Sequence, residues 1–331
     1  MSDYNIEESL KMDVLSLSRE LSEEGLVVRT WGNVSAKMSD EIIAISPSGM
    51  SYDCMSYEDV PLYDVKRKTY EGKFAPSSER KVHVSVYETY PEVNYVIHTH
   101  QNYATAVGLA FDEGVIATRV TDDMDLFSCD YLSMTKEESE ILGSISVAKY
   151  ALPGTDELAR NAKQALETGS KIVFMKNHGI LIADEKKDGL IKKAMVLERV
   201  CKRYVELSLQ EQAKWDSNKK ELYMADMGGF HTQIDDMAQL IGNDIICVDN
   251  DKKIIADVLN KREVFLVKEK GLVIAVNNES DATAVRLLMD KAIICKLLTL
   301  KLNKNADLSD EDCTIMRDNY VKNYSKLFNK D

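Results

Sequence analysis

Apolar residues recur along this chain with two different periods, and the switches between them outline its elements. Ile6, Leu10, Val14, Leu15 and Leu21 return at helical spacing between charged residues, which predicts an amphipathic helix over about residues 5 to 24, ending near Gly25. Leu26–Thr30 and Glu41–Ile45 read as short strands, with Thr30-Trp-Gly32-Asn33-Val-Ser35 as a loop between them and Ser46-Pro-Ser48-Gly49 as a turn after the second. Val82, Val86 and Tyr90 predict a helix from about Ser78 to Thr89, stopped by Pro91. Tyr95-Val-Ile-His98 then reads as a buried strand and Gln101 to Ala110 as a helix of small residues. Gly154-Thr155-Asp156 caps a helix to about Leu166. Two apolar strands, Lys171–Met175 and Ile180–Ala183, flank Lys176-Asn177-His178-Gly179, and Leu190 to Gln210 forms a long amphipathic helix. Helices interleaved with short strands make this an α/β chain.

The candidate chemistry sits at the ends of these strands. Side chains alternate along a strand, so His98 and His100 point the same way and would make half of a metal site, although alone the pair reads more readily as a solvated strand end. His178, between two strands, is by itself more often a structural histidine but offers a third imidazole, and three histidines with an open fourth position suit a catalytic zinc. The loops at Gly32–Ser35 and Ser46–Gly49 offer hydroxyls and glycines that would suit an anion, although each alone reads more readily as a plain turn. Ser77-Ser78-Glu79 opens a helix, a place for either simple capping or an anion. His83 shares a helical face with Glu79, as a support for a site or as a core histidine, with the core reading favoured. Asp122, Asp123 and Asp125 read as a solvated loop.

Composition narrows the partners. A formal charge of -13 over 331 residues argues against nucleic acid or an anionic membrane, but not against a small anion held by backbone N–H groups and hydroxyls. The start lacks a basic, apolar leader and no run of about 18 apolar residues occurs, so a cytoplasmic protein is expected. Cysteines 54, 129, 201, 247, 295 and 313 lie far apart, as reduced thiols would.

Taken in order, Gly32-Asn33-Val-Ser35, Ser46-Pro-Ser48-Gly49, Ser77-Ser78-Glu79, His98-Thr-His100 and Asn177-His178-Gly179 resemble the class II aldolase/adducin family, in particular its L-fuculose-1-phosphate aldolase branch, over about residues 5 to 210. The resemblance implies an α/β/α sandwich around a central, mostly antiparallel sheet, assembled as a homotetramer. It implies His98, His100 and His178 as ligands of Zn2+ or another divalent transition metal, and Glu79 as the acid/base. Thr30, Asn33, Ser48, Gly49, Ser77 and Ser78 would hold a substrate phosphate. The implied activity is retro-aldol cleavage of a ketose 1-phosphate to dihydroxyacetone phosphate and a short aldehyde. Family alternatives are a pentulose-phosphate 4-epimerase, which carries Asp where this chain has Glu79, and a methylthio-sugar-phosphate dehydratase; a non-enzymatic adducin-like module would lack the histidines. Family aldolases also place a tyrosine in the region occupied here by Val120–Leu126, and none stands there.

The chain continues well past that resemblance. Residues 1–218 are read as the catalytic domain, Trp215 to Gly229 as a polar linker and 219–331 as a small α/β extension. Val264–Ala275 lies on Ile172–Ala183 at a constant offset of 92, which suggests a partial repeat with Lys270 where His178 stood.

Overall fold

The computed structural model describes residues 3–28 and 31–324, and contacts divide the chain into two units, Met1–Lys202 and Arg203–Asp331. In chain order the first unit holds helix α1 (Asp3–Glu23), strands β1 (Gly32–Lys37), β2 (Ile42–Ile45), β3 (Leu62–Asp64) and β4 (Thr69–Glu71), helix α2 (Arg80–Thr89), β5 (Tyr95–Thr99) and α3 (Asn102–Ala110). Then come β6 (Gly114–Val115), β7 (Thr118–Val120), β8 (Leu132–Met134), α4 (Lys136–Leu142), β9 (Ile145–Ala148), α5 (Asp156–Leu166), β10 (Ile172–Met175), β11 (Gly179–Asp184) and α6 (Lys187–Leu209), whose last residues belong to the second unit. Nine strands form one sheet in the order β4-β3-β2-β1-β5-β11-β10-β9-β6, antiparallel at every step except β9 beside β10.

The two faces of that sheet are covered by different helices, which is why its middle strands are apolar on both sides. Val96, Val173, Met175, Leu181 and Ala183 pack under Val82 and Val86 of α2 and Leu158, Ala162 and Leu166 of α5. On the opposite face Phe174 lies against Gly108 of α3, and the Tyr95 hydroxyl donates to Asp13 of α1 at 2.8 Å. The result is the α/β/α sandwich expected from the sequence. No helix among the described residues is long and apolar enough to cross a membrane.

Three local expectations change. The segment read as a loop around Asn33 is strand β1, whereas 26–28 form no strand and the rest of that predicted strand lies outside the described residues. Asn33 and Ser35 disguise β1 because both are buried polar residues on the face beneath α2, whose side chains supply their partners. Helix α2 begins at Arg80 rather than Ser78, so both serines precede it. The supposed linker contains helix α7 (Ser217–Asp226), capped by Asp216, which accepts from the Lys219 N–H at 2.8 Å, and anchored by buried Glu221, Met224 and Ala225 on one helical face.

The second unit continues with β12 (Gly229–His231), α8 (Asp235–Leu240), β13 (Asp244–Val248), α9 (Lys252–Leu259), β14 (Val264–Val267), β15 (Gly271–Ile274), α10 (Glu279–Lys301) and α11 (Asp310–Asn319). Its sheet runs β12-β13-β14-β15, with β13 and β14 parallel and the outer pairs antiparallel. The β10–β11 pairing runs from Ile172 opposite Ile182 to Met175 opposite Gly179, and the β14–β15 pairing from Val264 opposite Ile274 to Val267 opposite Gly271, every position displaced by 92. The turns carry positive φ at Asn177 (62°) and Glu269 (63°), and α6 and α10 have 23 residues each. Where β11 is flanked by β5, β15 is an edge, and Glu221 of α7 accepts the Leu272 N–H there at 2.8 Å.

Phe174 is fully buried at the centre of the larger sheet. Its replacement by alanine should cost about 3–5 kcal/mol in unfolding free energy, measured by urea denaturation followed by circular dichroism. A loss below about 1 kcal/mol would mean that this face of the sheet is not the packed core described.

Candidate metal centre

Strand β5 lies between β1 and β11, with Asn33 and Leu181 directly opposite His98 on either side. The His98 Nδ1–H donates to the Ile180 carbonyl at 3.0 Å, because a carbonyl can only accept. Its Nε2 is therefore left with a lone pair. His100 follows the end of β5, in a turn fixed from α6: the Glu198 carboxylate accepts the N–H groups of Tyr103 and Ala104 at 2.8 and 2.9 Å, at the positive end of α3. His178 sits in the tight turn between β10 and β11, its N–H donating to Met175 O at 3.0 Å. The next residue has to be glycine, since a Cβ on Gly179 would stand 2.9 Å from His98 Cε1 and 3.0 Å from His100 Cδ2.

These turns aim three imidazoles at one point. The Nε2 atoms of His98 and His100 are 2.8 Å apart and those of His98 and His178 3.0 Å apart. Glu79 joins them, with Oε1 at 2.9 Å from His178 Nε2 and Oε2 at 3.1 Å from His98 Nε2. All four side chains are buried, and their ligand atoms lie within 4.8 Å of one another. Burial lowers the His98 imidazole, with Glu79 opposing, so it is neutral at neutral pH. Burial works to raise the Glu79 carboxyl, but His178 and His98 draw it well below the usual carboxylate range. An ionised carboxylate and three imidazole nitrogens crowded in a dry pocket are the donor set of a divalent transition metal, and the carbonyl tied to Nδ1 of His98 is the usual outer partner of a ligand histidine. The residues present fit such an ion.

Glu79 is the N-cap residue of α2, and the segments beside it are stitched together by the backbone. Val34 N–H donates to Ser46 Oγ at 3.1 Å, Ser77 N–H to Ser46 O at 3.0 Å and Ser48 N–H to Ala75 O at 2.9 Å. The Ser48–Gly49 turn, with φ of 70° at Gly49, is thus held beside Ala75–Ser78. Ser77 is buried and its Oγ accepts the Glu79 N–H at 3.2 Å, while Ser78 is exposed. Thr30 lies outside the described residues. Asn33 is engaged with the carboxylate of the cluster, its Nδ2–H donating to Glu79 Oε2 at 3.0 Å. The sequence reading missed this contact, and missed Ser35 and Tyr87 as members of the same network; the signal for it was the i, i+4, i+8 spacing of Glu79, His83 and Tyr87.

Comparison with known proteins supports the same picture. Residues 12–205 match the family model described as the class II aldolase and adducin N-terminal domain, more than half of the chain. This chain belongs to the class II aldolase and adducin family. L-ribulose-5-phosphate 4-epimerases UlaF of Salmonella paratyphi B and of Salmonella typhi are each 30% identical to it over 202 residues, covering 59% of this chain and 83% of the relative. A solved L-fuculose 1-phosphate aldolase is 27% identical, covers 59% of this chain and 84% of its own, and superposes with a TM-score of 0.50. The family model ends at residue 205, so the class II aldolase domain accounts for the first unit.

If the tight fit at Gly179 holds the two neighbouring imidazoles in place, Gly179→Ala should lower metal affinity about 10–100-fold. Chelator competition followed by elemental analysis reads this directly, and unchanged metal retention would contradict the packing described.

Proposed function

We propose that this protein is a metal-dependent lyase that cleaves a ketose 1-phosphate by a retro-aldol reaction, giving dihydroxyacetone phosphate and a short aldehyde. The observation that carries the reading is the convergence of three histidine Nε2 atoms and one ionised carboxylate in a buried pocket. His98, His100 and His178 hold Zn2+ or another divalent transition metal. Such an ion acts as a Lewis acid toward substrate oxygens, where negative charge develops as the carbon–carbon bond breaks. Glu79 moves the proton at the carbon that loses the aldehyde. Asn33 ties its Oε2, and Oε1, which faces His178 Nε2 at 2.9 Å, is left as the oxygen that exchanges the proton. Ser48, Gly49, Ser77 and Ser78, with Thr30 and Asn33, hold the phosphate; the backbone bonds that fasten the two serine segments together next to Glu79 support this role.

One observation favours a second reading. The curated relatives at 30% identity are 4-epimerases, which the family resemblance associates with the same bond cleavage followed by re-addition of the aldehyde from the other side. Glu79, where that resemblance places Asp in epimerases, is what favours the lyase.

We also infer that the second unit is a partial repeat of the first without its site. The shared register of the β-hairpins, the shared positive φ and the paired long helices support it, and Lys270 stands where the repeat would need a histidine. One metal per chain, not two, is then required.

Zinc-loaded full-length protein should release dihydroxyacetone phosphate from L-fuculose 1-phosphate or a related ketose 1-phosphate, followed with a coupled dehydrogenase. Glu79→Gln should keep the metal and lose about 10²–10⁴-fold in turnover. Interconversion of L-ribulose 5-phosphate with its epimer, without triose release, would establish the epimerase instead; no reaction with either would overturn both.

A further inference from the structure

Helix α2 and strand β1 are joined by a ladder of buried side chains that runs away from the metal centre. Glu79, His83 and Tyr87 share one face of the helix, and Asn33 and Ser35 share one face of the strand below. The spacings match: four helical residues rise about 6 Å and two strand residues about 6.6 Å. Each strand residue consequently meets two helix residues. Asn33 bonds Glu79 Oε2 at 3.0 Å and His83 Nε2, and Ser35 Oγ bonds His83 Nδ1 at 2.7 Å and the Tyr87 hydroxyl at 2.7 Å. His83 and Ser35 are fully buried and Asn33 nearly so.

The direction of every proton in this ladder follows from its first rung. A carboxylate only accepts, so the Asn33 group facing Glu79 is the NH2. The amide oxygen then faces His83 Nε2, which must carry a hydrogen. His83 Nδ1 accepts from the Ser35 hydroxyl, whose oxygen accepts from Tyr87. Burial, reinforced by His98 and opposed by Glu79, pushes His83 down to about 3, so the ring stays neutral and offers one donor and one acceptor as the ladder needs. Without that donor the Asn33 amide could turn over and present its oxygen to the carboxylate.

We propose that His83 is a positioning residue of the reaction, acting through Asn33: its Nε2–H locks the Asn33 amide so that Glu79 is held by Oε2 and keeps Oε1 aimed at the reacting carbon. The inference rests on the role given above to Glu79. It turns a histidine that the sequence leaves as a core residue into part of the proton-transfer apparatus without any contact with substrate or metal.

Two variants and two readouts test it in the zinc-loaded full-length protein. Glutamine at this position, His83→Gln, can still donate from its amide to Asn33 Oδ1, whereas His83→Phe keeps the aromatic volume and cannot. With L-fuculose 1-phosphate and L-ribulose 5-phosphate as probes, His83→Phe should lower kcat about a hundredfold with KM within about twofold, as a misplaced reacting group does, and His83→Gln should recover to within about tenfold of wild type. Both variants should retain their zinc. Equal kcat in all three proteins, with only the melting temperature changed, would reduce His83 to a packing residue and overturn the proposal. The second readout needs no turnover: 15N-histidine spectra of the wild type, with the His83 signal assigned by its loss in His83→Gln, should show the neutral Nε2–H form at pH 7. A neutral Nδ1–H form or an imidazolium would overturn it. Should the wild type process neither probe, the functional reading fails on its own, and the tautomer still decides whether His83 orients Asn33.

Discussion

Imidazole nitrogens at 2.8 and 3.0 Å from one another, with a carboxylate against them, crowd polar atoms into a buried pocket where water cannot separate them. A divalent cation between them would draw a lone pair from each. Much of the first unit can be understood as holding that arrangement open. His98 is pinned by the strand on one side, His100 by a turn whose helix is anchored on Glu198, and His178 by a hairpin in which Gly179 leaves the other two rings their space. The carboxylate arrives from α2, on the face of the sheet that α2 and α5 cover.

The position of that carboxylate links fold and chemistry. A glutamate ahead of the first turn of a helix would ordinarily swing in solvent or cap the helix itself. Here the Glu79 side chain makes no capping bond, Ser77 takes its N–H, and Asn33 of the neighbouring strand takes one of its two oxygens. The serine segments that surround it are bonded to each other and to β1, so the metal side and the anion side of the proposed site share one frame of backbone hydrogen bonds. Proton transfer at a fixed carbon needs this kind of preorganisation more than it needs strong binding.

The sequence made the histidines and the sandwich legible because continuous apolar runs mark β5, β10 and β11 as buried strands, two-residue spacing puts His98 and His100 on one side, and the ordered motifs resemble a known family. It hid β1, because Asn33 and Ser35 look like loop residues until the helix that satisfies them is known. For the same reason His83 looked like an inert core residue, since its meaning lies in partners 48 and 50 positions away. The register of the second hairpin was visible as an offset of 92, but α7 was read as linker because its buried face, Glu221, Met224 and Ala225, includes a charged residue. Long-range polar pairing leaves little periodic trace in a sequence, whereas apolar faces leave a clear one.

The central claim is that His98, His100 and His178 bind one divalent metal through Nε2, and X-ray absorption at the metal edge of the purified full-length protein tests it most directly. One metal per chain is expected, with three imidazole nitrogens at about 2.0–2.1 Å and oxygen ligands completing the shell. A metal-free protein that takes up no stoichiometric ion, or a bound ion with fewer than three imidazoles around it, would contradict the account.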